Sequence, residues 1–177
     1  MTVEERAIER IMAGSSWADF CDGLKRAGDI ILRDGSPQEA FDRAEGFRYL
    51  SRLTRVALES YIEFADPAAP VLRRPAHETV KMGADNPDNY YQSAAISGQY
   101  EYRISGTRGT VCYLGFGTYA GSYGSPARSV QTGYLEGRDL HIEPDGSFEI
   151  ILSCRQQPGN WLRMEPDTSS LIVRQTF

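Results

Sequence analysis

The stretch GADNPDNYYQSAAISGQYEYRISGTRG, Gly83 to Gly109, decides how the chain is divided. Its second half alternates with a period of two. Tyr100, Tyr102 and Ile104 share one side, and Glu101, Arg103 and Ser105 share the other, as successive residues of a β-strand do. Gly106-Thr107 then reads as a primed hairpin turn, with a returning strand from about Gly109 to Gly117. The first half, Asp85-Asn-Pro-Asp88-Asn89, reads as a turn, because Pro87 fixes its φ and Asn86 or Asp88 can bond the backbone. Its oxygen donors suggest a calcium loop, but Pro87 at the third position and Ile96 at the twelfth break that template.

Downstream of this stretch the β pattern continues. Strands are expected over about Val130–Leu135, Arg138–Glu143, from Phe148 on, and over Leu171–Phe177, with Phe148, Ile150, Leu152 and Cys154 alternating inward. Turns are expected at Pro144-Asp145-Gly146 and Pro158-Gly159-Asn160. Upstream the period becomes helical. Trp17, Phe20, Leu24, Ala27 and Ile31 form one stripe. Phe41, Ala44, Leu50, Leu53, Ala57 and Tyr61 form another. Thr2 with Glu5 fits a capping box, Ser16 with Asp19 resembles one, and Ser36-Pro37-Gln38-Glu39 gives an N-cap followed by Pro at the first helical position. The prediction is an α+β fold, with N-terminal helices packed on an antiparallel β-sandwich or barrel-like sheet. The expected division is a helical unit at 1–65, a proline-rich surface linker at 66–82 and an antiparallel β domain at 83–177, together expected to form one compact structural unit.

Composition narrows the function classes. The chain has 177 residues, 41% hydrophobic and 24% charged, with a net charge of -5. No basic patch stands out, which argues against nucleic-acid binding. No apolar stretch is long enough to span a membrane. The charged N-terminus, MTVEERAIER, lacks an apolar signal core. Cys21, Cys112 and Cys154 are far apart, cannot all pair, and read as small core hydrophobes, so a reducing, cytoplasmic location is expected.

Named chemistries largely fail. Gly115-Phe-Gly117-Thr-Tyr-Ala120 fits a dinucleotide fingerprint, but no helix follows it, only the glycine-rich Gly121–Pro126, which reads as a loop or lid. Asp139, His141 and Glu143 share one face of an expected strand, yet further ligands are missing and no metal is predicted. No cofactor motif is present.

The remaining polar residues flank apolar strands, which suits a pocket between the helices and the sheet. Arg103 or Arg48 can clamp a carboxylate or phosphate, and Glu45 lies one helical turn from Arg48. Asp88, Tyr90 and Tyr91 are the candidates for acid–base roles, Asn86 for ligand binding, and Asn160 and Trp161 for a pocket wall. Whether the protein is an enzyme is left open. The alternative is a non-catalytic interaction or structural module that pairs, as a homo-oligomer or with a partner subunit, through the C-terminal strand.

Taken together, Glu45-Gly-Phe-Arg48-Tyr-Leu, Asn86-Pro-Asp88-Asn-Tyr90-Tyr, Tyr102-Arg103-Ile-Ser-Gly106-Thr-Arg108-Gly109, Gly159-Asn160-Trp161-Leu and Val173-Arg174-Gln175 resemble the bacterial family called domain of unknown function 1214 (DUF1214). The resemblance runs from about Trp17 to the end. It implies a β-rich domain with a role in bacterial small-molecule metabolism and supplies no catalytic assignment. Longer members of that family continue beyond the strand that ends here at Phe177, so three alternatives stay open: a missing lobe, a partner subunit or a compact variant.

Overall fold

The computed structural model describes residues 1–121 and 129–177. The fold is α+β, helices first and two sheets after. The chain divides into two compact units, Met1–Thr54 and Arg55–Phe177.

In the first unit, α1 (Val3–Met12) opens with the expected capping box. The Thr2 side chain accepts from the Glu5 N–H, and the Glu5 carboxylate accepts from the Thr2 N–H. Helix α2 (Ser15–Asp29) runs on into a 3-10 turn at Ile30–Leu32. Its N-cap is Gly14, at φ 71, rather than Ser16. Asp19 instead pairs with Arg10 at 2.6 Å. Helix α3 (Ala40–Leu58) starts later than Pro37. The Ser36 hydroxyl donates back to the Ile30 carbonyl at 3.4 Å, in the 3-10 turn that ends the preceding helix. The predicted apolar stripes exist but are only partly covered, with Ala27, Ile31, Leu50 and Leu53 half-buried. Trp17 is 70% exposed and Phe41 74%. No residue from Met1 to Thr54 is buried.

The second unit begins inside α3 and continues through a π-helical turn at Glu59–Glu63. Residues 66–82, expected as a surface linker, are partly built in. Arg73 exchanges two backbone hydrogen bonds with Ser93, and Val80 is fully buried. Seven strands follow: β1 (Asn89–Ala95), β2 (Tyr102–Thr107), β3 (Tyr113–Ala120), β4 (Val130–Glu136), β5 (Ser147–Ser153), β6 (Trp161–Arg163) and β7 (Thr168–Thr176). One sheet has the order β1-β7-β3-β4 and is antiparallel throughout. The other has the order β2-β5-β6, and its β5–β6 ladder is parallel, a departure from the all-antiparallel expectation. The described strands form two separate sheets and no closed barrel.

Period-two alternation explains the core. Phe148, Ile150 and Leu152 of β5 point inward as expected, and Leu114, Phe116, Leu171 and Val173 meet them from the larger sheet. Phe116 and Phe148 stack edge to face across the two sheets, with centroids 5.8 Å apart. Three threonines are satisfied at the core margin. Thr118 donates to the Arg163 carbonyl at 2.8 Å, Thr132 donates to Thr118, and Thr132 also meets Thr168.

Four local expectations give way. Gly106 is a strand residue, not a turn, because the Phe148 ring lies against it. A Cβ there would come within 2.9 Å of the ring. Strand β2 therefore pairs with β5, and the next strand, β3, joins the other sheet. Residues 138–143 form no strand. A 3-10 turn occupies Gly137–Asp139, and the Asn160 side chain holds both the N–H and the C=O of His141. The C-terminal strand β7 is central, paired with β1 on one side and β3 on the other, so it offers no free edge. All three cysteines are exposed and unpaired rather than buried.

Candidate functional site

A cavity of about 480 Å³ lies between the two sheets where β1 and β2 run along their edges. Ala94 comes from β1 and Ile96 from just after it, Leu171 from β7, Leu152 from β5, and Pro70 and Leu72 from the segment before β1. The strand side chains among them are apolar because each occupies the inward parity of its strand. The mouth is polar, with Glu101, Arg103 and Ser105. Tyr102 forms one wall. Its hydroxyl accepts from the Ser97 N–H at 2.7 Å and donates to the Pro67 carbonyl at 2.9 Å. Desolvation raises the pKa of that phenol, which keeps it neutral and in its hydrogen bonds.

The backbone adds a feature to this mouth. The Arg108 N–H donates to the Gly146 carbonyl at 2.8 Å, in register with the β2–β5 ladder. In an antiparallel pair, residues alternate between facing the partner strand and facing away. Tyr102, Ile104 and Gly106 therefore direct their N–H and C=O groups to β5, while Arg103, Ser105 and Thr107 direct theirs away, to an edge where no described strand pairs. Each of those three residues is exposed. Strand β1 is different, because Arg73 bridges its outer edge at Ser93.

Of the residues singled out in the sequence, Arg103 lines this cavity. Its guanidinium lies 3.3 Å from the Glu149 carboxylate, with both side chains more than half exposed. The others take separate places. Asn86 and Asp88 form the expected turn, the Asp88 N–H donating to Asn86 Oδ1 at 3.0 Å. Tyr90 and Tyr91 fall on opposite faces of β1. Arg74 sits 4.3 Å over the Tyr90 ring. The Tyr91 hydroxyl accepts from the Asn86 N–H and from Asn89 Nδ2, so it holds the turn. Asn160 clamps His141 and the Glu149 carbonyl. The Trp161 indole N–H donates to Ser153. Glu45 and Arg48 form an ion pair along α3, one turn apart. His141 and Glu143 pair at 3.5 Å on the surface, while Asp139 lies in the 3-10 turn.

Gly115 to Ala120, the dinucleotide-like motif, is the interior of β3, with Phe116 and Thr118 in the core. The lid expected over Gly121–Pro126 falls mostly on residues 122–128, outside the described residues. The sequence reading missed Tyr102 and Ser105 as site residues. The signal was present in the alternation of Tyr102 to Thr107, but not the fact that β2 is an edge strand.

No family model matches the chain, and no curated protein matches it. Among solved structures, an uncharacterized protein from Burkholderia cenocepacia is similar. It is 57% identical, with a TM-score of 0.88 over 96% of this chain and 47% of that one. This chain thus spans about half the length of that relative. The VPA0106 protein from Vibrio parahaemolyticus is 14% identical, with a TM-score of 0.45 over 81% of this chain and 42% of that one.

Proposed function

We propose that the Arg55–Phe177 unit is a ligand-binding domain for a small molecule with an apolar body and a polar or anionic end. The observation that carries this reading is the junction of the cavity with the open edge of β2. About 480 Å³ of largely apolar space opens beside a guanidinium and backbone groups that no described strand pairs. That volume falls within the range of about 300–1,000 Å³ usual for small-molecule sites. An exposed ion pair such as Arg103–Glu149 contributes only about 0–1 kcal/mol, so a ligand carboxylate can compete for Arg103 at little cost.

The resemblance to DUF1214 and the bacterial relative support placing this domain in bacterial small-molecule metabolism. Three exposed, unpaired cysteines support a cytoplasmic setting. A second reading uses the same edge. An extended peptide adding to β2 would bond Arg103 and Ser105 and place a side chain in the cavity, which makes the domain an interaction module.

The test is a thermal-shift screen of metabolite-sized carboxylates and amides against the wild type, Ala94→Phe and Arg103→Gln. A ligand raises apparent stability by mass action. The expected outcome is a hit that stabilises the wild type, is lost when the ring introduced by Ala94→Phe fills the cavity, and binds about tenfold more weakly without Arg103. Hits that stabilise Ala94→Phe as well as the wild type would overturn the assignment.

A further inference from the structure

The outer face of the larger sheet carries a second cluster. On β3, Tyr113, Gly115, Gly117 and Tyr119 share that face, because Leu114, Phe116 and Thr118 fill the interior. The glycines form a trough into which the tyrosines fold. A Cβ on Gly115 would lie 2.5 Å from the Tyr113 hydroxyl oxygen, and one on Gly117 would lie 2.8 Å from the Tyr119 hydroxyl oxygen. Strand pairing sets Arg174 of β7 beside Gly115 and Tyr134 of β4 beside Gly117. The Tyr134 hydroxyl touches that of Tyr113. Arg174 Nη1 donates to the Tyr119 hydroxyl at 2.9 Å, with its guanidinium carbon 5.8 Å from the ring centroid. Three phenol oxygens and a guanidinium thus converge over a glycine floor.

The free groups of this tray are mostly donors, with the Glu136 carboxylate at its margin acting on Tyr134. Arg174 forms no ion pair among the described residues. Glu136, in the same cross-sheet row, pairs instead with Arg138 at 2.9 Å. The Tyr119 hydroxyl accepts from Arg174, and among the described residues its own proton has no acceptor. In the Tyr113–Tyr134 pair, one hydroxyl donates to the other, and one proton remains over. The unspent groups are therefore donors, on a half-buried positive charge, and they match a group that only accepts. A carboxylate or a phosphate satisfies that, whereas a neutral sugar brings donors of its own. A planar carboxylate suits the flat fork of an arginine, and the tyrosine rings offer aromatic surface beside it.

We propose that Arg174, Tyr113, Tyr119 and Tyr134 form a binding site for a small aromatic carboxylate on the outer face of the sheet, separate from the inter-sheet cavity.

The experiment is calorimetric titration of benzoate, and in parallel inorganic phosphate, into the wild type, Arg174→Gln, Gly117→Ala and Arg103→Gln. Gly117→Ala removes no polar group but pushes the Tyr119 hydroxyl out of the tray. Benzoate should bind the wild type and Arg103→Gln saturably, with a dissociation constant on the order of 1 mM. It should bind Arg174→Gln and Gly117→Ala at least about tenfold more weakly. Circular dichroism reports whether each variant is folded, and Arg174→Gln alone suffices if Gly117→Ala does not fold. The proposal is overturned by any of three results: no saturable benzoate binding, undiminished binding by Arg174→Gln, or binding of phosphate without benzoate. Loss of benzoate binding in Arg103→Gln alone would move the site to the cavity and overturn it too.

Discussion

The two units of this chain solve the problem of burial differently. From Met1 to Thr54 no residue is buried, and the local order comes from a capping box, surface ion pairs and helical propensity. From Arg55 to Phe177, Ile150, Leu152 and Leu162 have no exposed surface and Phe116 only 2%. Amphipathic spacing is present in both, so spacing alone does not tell which apolar stripe ends up inside. Sheet packing does. Two sheets facing each other bury the inward side of every strand at once. The same arrangement leaves an edge strand beside the core, and the cavity opens there.

Substitution should sharpen this contrast most strongly in the core. Leu162→Ala should cost about 2–5 kcal/mol, since it empties a fully enclosed position. Phe41→Ala, at a side chain 74% exposed, should change stability by no more than about 0.5 kcal/mol. Chemical denaturation measures both. Equal losses would break the comparison by showing that Phe41 is covered in solution.

A smaller effect is expected from pH. The hydrogen bond to Tyr113, with desolvation, pushes the Tyr134 phenol up to about 12. A raised folded-state value means that the neutral phenol is favoured by folding. This contribution is full below the ordinary value of 10.0 and is lost as pH rises toward about 12. Ultraviolet titration should show, besides the raised Tyr102, a late phenolate step that disappears in Tyr134→Phe. A titration unchanged by that substitution would contradict the pairing with Tyr113.

The sequence reading reached the fold class through particular residues. The alternations at Tyr102–Thr107 and Ser147–Ser153, and the Thr2–Glu5 cap, are local signals, and each appears in place. Strand β1 was hidden because Asn-Tyr-Tyr-Gln-Ser carries few apolar residues, as a strand joined to a polar turn does. Strand β6 has three residues, too few for a period. Gly106 is a turn residue by type, and only the Phe148 ring, 42 positions away in sequence, makes it a strand residue. Which strands lie at edges depends on pairing across the whole chain. The C-terminal strand β7, expected at an edge, is central, and the edge positions fall to β1 and β4 in one sheet and β2 and β6 in the other. The site was legible only at Arg103. The tyrosine tray did have a signature, Tyr113-x-Gly-x-Gly-x-Tyr119 at period two, overshadowed by the dinucleotide-like spacing of the same glycines.

On the proposed function, the β2 edge beside the cavity is open and serves as the polar rim of a binding site. Amide hydrogen exchange resolved by residue tests it directly, in the free protein and with the strongest ligand from the thermal-shift screen. Exchange should be fast at Arg103 and Ser105 beside slow exchange at Ile104 in the free protein, and should slow at Arg103 and Ser105 when the ligand binds. Amides of Arg103 and Ser105 already as protected as that of Ile104 would contradict it.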